Sequence, residues 1–257
     1  MHYLKENKVY LTLSLLFLFF SRASHAEEAN PEQLNIPELT ENVLFVGLGS
    51  YCEAADVLRS CGVRKAAFPF DWILTGNGRK LVELLENDFS GFMDEPHLTP
   101  ALRSKTVLLQ TYYEMEFHHE GEWRGDRDYL SQNMRKLIDK YQNRVKRFRQ
   151  LNDYAGKVFF IRFANQYSLE PNVHYRRKEN LEITEESASL LYHTLRKYFP
   201  NLNFQLVIVN THNRDGLEEE ELRGHVLMIR TNPLQPVHVK KSYYTKLFNK
   251  LAAREDL

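Results

Sequence analysis

Cys52 is the residue whose position in this chain most favours chemistry. It follows the compact apolar run Val43 to Leu48, which passes through the turn Gly47-Leu48-Gly49. Ser50 and Glu53 have capping-box spacing, which makes Ser50 the N-cap and Cys52 the second residue of a helix. The unpaired N–H groups and positive dipole end of a helix start favour a thiolate, so the thiol pKa is expected to fall. The glycines permit a tight strand-to-helix turn. Amides at Gly49 and Ser50 would then face an incoming ligand and could hold an oxyanion. Glu53 works against the thiolate. The competing reading is a small buried cysteine beneath the first turn.

A thiol nucleophile also needs a base. His118 and His119 close an extended stretch, Val107 to Phe117, far from Cys52 in sequence. Successive strand residues point to opposite faces, so at most one of the pair faces Cys52. Glu120 follows and could orient an imidazole or pair with Arg124. Asp71 stands among Phe68, Phe70 and Trp72, so its carboxylate is expected to be buried and to need a partner. Arg64 or Arg162 could supply it, which would make Asp71 structural; Asp71 could instead orient the histidine. Asn165, just past Arg162, is a further candidate orienter. Adjacent histidines on opposite faces hold a metal poorly and no other spacing fits zinc, so neither metal nor cofactor is expected. A dinucleotide fingerprint would place its third glycine where Cys52 stands, so that motif fails.

The blocks around these residues carry a resemblance. Leu48-Gly49-Ser50-Tyr51-Cys52, then Ala55, Leu58, Gly62 and Arg64, then Phe68-Pro69-Phe70-Asp71-Trp72-Ile73 resemble the bacterial family of papain-like cysteine peptidases called DUF1796. Leu84 to Phe89 is similar to the family's next helix, and Phe117-His118-His119-Glu120 to its histidine element. Arg144, Arg147 and Phe148 resemble its arginine-rich helix, and Val158 to Arg162 its following strand. The resemblance spans roughly residues 43 to 210. It implies a cysteine–histidine hydrolase with Cys52 as nucleophile, His119 as base, His118 as the alternative base, and an acidic or amide orienter. Arg64, Trp72 and Arg162, from the same blocks, are the candidate binding residues.

The elements that must position these residues read as α/β. Short apolar strands at Val43–Leu48, Val158–Phe163, Phe204–Val209 and Val226–Ile229 alternate with helical patterns. Leu130, Met134, Leu137, Ile138, Tyr141, Val145 and Phe148 mark one long amphipathic helix, whose basic side is read as a solvated face. Leu190, Leu191 and Leu195 mark another, and Tyr244 to Leu251 a terminal one. The expected fold is a single domain with a mostly parallel central sheet flanked by helices; the alternative is a papain-like α+β arrangement. The two cysteines, nine positions apart on one helix, would lie about 13 Å from each other, too far to bridge.

The first 26 residues read as a secretory signal peptide. Lys5 and Lys8 precede the apolar run Val9 to Phe20, and Ser24-His25-Ala26 provides small residues for cleavage. That run is shorter than the roughly 20 residues needed to cross a bilayer, so no permanent span is expected. Residues 27–42 read as a leader segment and 43–257 as the hydrolase domain. Lys+Arg and Asp+Glu both number 34, and removing Lys5, Glu6, Lys8 and Arg22 tips the balance to the acidic side. A charge-balanced chain lacks the basic surplus of a nucleic-acid binder. The expectation is an exported hydrolase that cleaves a peptide, amide or ester by acyl transfer. The alternatives are a phosphate- or sugar-nucleotide-binding protein and a non-catalytic secreted binding protein.

Overall fold

The structure is a computed structural model and describes residues 42–253, apart from 51, 76–77, 103, 124, 126, 166–182, 212–217, 223–225 and 232–236. The signal-peptide and leader segments, Tyr51 and Arg124 lie outside the described residues. The apolar run that opens the domain forms β1 (Val43–Gly47), and α1 (Glu53–Ser60) follows. Next come β2 (Ile73–Leu74), α2 (Gly78–Glu86), β3 (Leu98–Pro100), β4 (Leu108–Gln110) and β5 (Met115–Phe117). The long α3 (Arg127–Arg149) leads into β6 (Lys157–Asn165), then α4 (Glu185–Tyr198) and β7 (Phe204–Thr211). β8 (Glu218–Leu222), β9 (Val226–Thr231) and α5 (Val237–Ala252) complete the order.

The strands make two sheets. The larger has the order β1-β6-β7-β9-β8, and the smaller β2-β5-β4-β3. Pairing is parallel from β1 through β6 and β7 to β9, and β8 alone runs antiparallel, against β9. This is the mostly parallel α/β sheet expected from the alternation of elements, not the papain-like alternative. β1 is apolar throughout, and the middles of β6, β7 and β9 nearly so, because both faces are covered. Leu44, Val46, Val158, Phe160, Leu206 and Ile208 face a core shared with α2, α3, α4 and the smaller sheet. Phe45, Phe159, Ile161, Val207 and Val209 face the other way, onto Ala54 and Leu58 of α1 and Tyr244, Leu247 and Phe248 of α5. The period-two alternation of the pleat thus sorts one run of apolar residues into two cores.

Phe148, on the last turn of α3, anchors the first core. Its ring lies 5.1 to 6.5 Å from those of Phe68, Phe70, Phe89, Phe160, Tyr198 and Phe199. Burial of one such ring is worth about 1.5–3 kcal/mol. The basic side of α3 divides. Arg135, Lys136 and Lys146 are exposed, but Arg144 and Arg147 are buried, which corrects the expectation of a wholly solvated face. Arg144 lies over the Tyr141 ring at 4.8 Å, and Arg147 Nη1 donates to the Ala67 carbonyl.

Three other differences from the sequence reading are local. The stretch 107–117 is a hairpin, β4 and β5, because a turn centred before Glu114 (φ 54°) reverses it. The terminal helix starts at Val237, ahead of the apolar pattern that marks it. The edge strand β8 is Glu-Glu-Glu-Glu-Leu and has no apolar alternation to announce it.

Candidate active site

Cys52 stands where the chain leaves β1 and enters α1, with right-handed φ and ψ of −61° and −14°. It is the N-cap of α1, and Glu53 is the first helical residue. Ser50 cannot cap, because its φ of 87° is left-handed, far from the extended backbone an N-cap adopts. Gly49 is left-handed too, at φ 70°. The Asp56 amide closes the first helical bond onto the Cys52 carbonyl at 3.0 Å. Burial, followed by the charges of Asp56 and Glu53, pushes the Cys52 thiol far above the ordinary cysteine range, against the smaller opposing effects of its own backbone and Arg59. The expected depression by the helix start is therefore overturned. Two carboxylates in the first turn and the loss of water outweigh the dipole.

The amide at Ser50 does not face a ligand, as the turn glycines had led us to expect. It donates to Thr75 Oγ1 at 2.8 Å, and the Thr75 amide returns a bond to the Ser50 carbonyl at 3.2 Å. A Cβ at Gly49 would come within 2.6 Å of the same hydroxyl oxygen, so glycine is required there on both space and φ. Arg162, fully buried near the end of β6, completes this knot. Its Nη1 donates to the Leu48 carbonyl and Thr75 Oγ1, at 2.7 and 2.9 Å, and its Nη2 to the Thr75 carbonyl at 2.7 Å. With no carboxylate paired to it among the described residues, desolvation lowers its pKa to about 10. Thr75 carried no signal in the sequence. A lone threonine after an apolar stretch gains meaning only through these long-range bonds.

Antiparallel pairing of β2 with β5 brings the remaining groups together. Ile73 lies opposite Phe117 and Leu74 opposite Glu116. The residues flanking this short ladder, Trp72 on one side and His118-His119 on the other, therefore meet. The Trp72 ring meets the His119 ring edge to face, 5.8 Å between centroids. Arg59 of α1 lies over the same indole at 4.9 Å and forms an ion pair with Asp56 at 2.8 Å. Trp72 itself is left-handed, at φ 64°, an uncommon conformation for so bulky a residue. Burial, then His118, holds the His119 imidazole below the usual histidine range, with Glu120 and Asp56 pulling the other way. That shift favours the neutral imidazole, the form that accepts a proton.

The other candidates have partners elsewhere. Asp71 is buried, and its Oδ2 accepts from Arg64 Nε and Nη2 at 3.1 and 3.0 Å and from the Phe68 amide at 3.0 Å. Its Oδ1 abuts the close approach at Gly47, where a Cβ would stand 3.0 Å away. Of its two foreseen partners, Arg64 pairs with it and Arg162 does not. Glu120 accepts from Tyr141 Oη at 2.9 Å and Lys140 Nζ at 3.0 Å, which fastens the histidine segment to α3. His118 Nε2 lies 3.0 Å from Oε2 of the fully buried Glu116, a carboxylate the sequence reading missed. Asn165 ends β6 in register with Thr211. Both cysteines are free thiols; Cys61 caps the far end of α1, and its sulfur accepts from Thr245 Oγ1 at 3.5 Å. Among the described residues no group of three His, Cys, Asp or Glu could hold a metal ion. None of the described helices is long and apolar enough to cross a membrane.

The larger sheet is mostly parallel, Cys52 stands at its first strand-to-helix turn, and His119 follows the last residue of β5 in the smaller, antiparallel sheet. The chain belongs to the family described as "Putative papain-like cysteine peptidase (DUF1796)", whose model matches residues 43–214. It is also similar to "Uncharacterized protein R408" of Acanthamoeba polyphaga mimivirus, with 28% identity over 204 residues that cover 71% of this chain and 86% of the relative. No solved structure matches the chain.

Proposed function

We propose that the protein is an exported thiol hydrolase that cleaves an amide or ester by acyl transfer, with Cys52 as nucleophile and His119 as general base. One relationship carries the reading: the Trp72 indole meets both the His119 ring, at 5.8 Å, and Arg59 of α1, at 4.9 Å, so the histidine stands beside the helix that Cys52 caps. Because the resting thiol is protonated and the imidazole neutral, attack and proton transfer are coupled. The sulfur bonds to the carbonyl carbon as its proton passes to His119. The positive end of the α1 dipole stabilises the developing oxyanion. His119 then protonates the leaving amine or alcohol, and water hydrolyses the thioester by the reverse sequence. Export rests on the amino-terminal signal pattern, Lys5 through Ala26.

The test is acylation by p-nitrophenyl acetate, read by mass spectrometry on the Cys52 peptide. An acetyl adduct at Cys52 that forms at least tenfold more slowly in His119→Ala supports the dyad. An equal rate in that variant, or no adduct in the wild type, sinks it. For export, the mature protein recovered outside the cytoplasm should begin at Glu27.

A non-catalytic binding protein is the second reading, favoured by the upward push on the Cys52 thiol. It requires Cys52 to resist both alkylation and acylation.

A further inference from the structure

We infer that Thr75 and Arg162 are positioning residues for Cys52: together they hold the left-handed pair Gly49-Ser50 and so set where the thiol stands. The inference rests on Cys52 being the reactive group of the proposed hydrolase. Its structural content is independent of that.

Two consecutive left-handed residues between a strand and a helix are costly, above all when the second is serine, and persist only where surrounding bonds over-determine them. Those bonds come from Thr75 and Arg162. Thr75 exchanges two hydrogen bonds with Ser50, through its hydroxyl oxygen and its amide. Arg162 reaches from β6 to the carbonyl before the pair, at Leu48, and to both the hydroxyl and the carbonyl of Thr75. A planar guanidinium makes three such bonds only in one orientation, so the two loops, one after β1 and one after β2, are locked to each other. The Thr75 hydroxyl accepts from both Ser50 and Arg162, which occupies its two lone pairs. Serine can reproduce that; valine, with the same shape, cannot. Since Trp72, immediately before β2, stands against His119, the same clamp ties the thiol's turn to the histidine segment that follows β5.

The experiment follows iodoacetamide alkylation of Cys52 across about pH 6 to 11 by peptide mass spectrometry. Cys61, at the other end of α1, is the internal reference. Glu53, Asp56 and Arg59 stay in place in every variant. In Thr75→Val the turn relaxes and the thiol gains water. Its titration then moves down towards the ordinary range, and its neutral-pH rate rises about tenfold relative to Cys61. Thr75→Ser stays within about threefold of wild type. An unchanged Cys52 profile in Thr75→Val, or identical profiles in the serine and valine variants, overturns the inference. Hydrogen exchange on the unmodified chain gives a test independent of any variant's folding. The Ser50 and Thr75 amides should be as protected as that of Leu48, which bonds Ile161 at 2.8 Å, and free exchange at Ser50 overturns the clamp. Failure of acylation at Cys52 would remove the hydrolase reading and leave these profiles unaffected, so the two failures are distinguishable.

Discussion

The imidazole of His119 meets the indole of Trp72 edge to face, with the two planes at 75°. This contact links the Pro-Phe-Asp-Trp block to the histidine segment and withdraws the imidazole from water. Burial is the largest cause of its lowered pKa. In Trp72→Ala the His119 titration should rise towards the ordinary histidine value, as followed by NMR of the ring protons. No change would mean that the indole does not shield it.

The same shift has a consequence for stability. A histidine with a lowered folded pKa binds its proton better in the unfolded chain, so folding weakens as pH falls through about 6.5 towards the lower folded value. Above that window the group contributes nothing to the pH slope. Urea unfolding from pH 8 down to 5 should therefore show a shallower loss in His119→Gln than in wild type.

Ligand-free Cys52 should alkylate more slowly than Cys61 at neutral pH. Asp56 is the larger of the two charges that raise the thiol, so Asp56→Asn should lower its titration and speed labelling several-fold. A Cys52 that labels faster than Cys61 in the unmodified chain would refute the burial argument.

The partly exposed Arg64 forms an ion pair with the buried Asp71, whose carboxylate also accepts the Phe68 amide. Removing the cation in Arg64→Ala leaves that carboxylate unpaired and should cost about 3–5 kcal/mol in denaturant unfolding. A loss below about 1 kcal/mol, the range of surface pairs, would show that the pair is not structural.

Phe148→Ala opens a cavity among six aromatic neighbours and should cost about 3–5 kcal/mol, whereas Phe148→Leu should retain most of the packing. Chemical denaturation of both variants checks the ordering.

What was legible in the sequence depended on the range of the interactions. Val43–Leu48, Val158–Phe163 and Phe204–Val209 declare themselves because strands buried on both faces must be apolar throughout, and the parallel sheet follows from their alternation with helices. That Asp71 is buried and needs a partner was foreseeable from a carboxylate set among aromatics, whereas the choice of Arg64 over Arg162 was settled only by the structure. The capping at Ser50 was misread because the left-handed turn is imposed by Thr75 and Arg162, both remote in sequence. The thiol's environment was misread for a related reason. Dipole arguments see one helix end, whereas burial is a property of everything packed around it. β8 escaped because four glutamates give no periodic signal, and its place follows only from pairing with β9.

That acidic strand bears on how copies of the protein meet. Among the described residues β8 is the last strand of the larger sheet, beyond β9, and a strand edge is a template for self-association. A strand of four consecutive glutamates is a sequence poorly suited to adding a second copy at that edge, since charged residues on edge strands discourage edge-to-edge pairing.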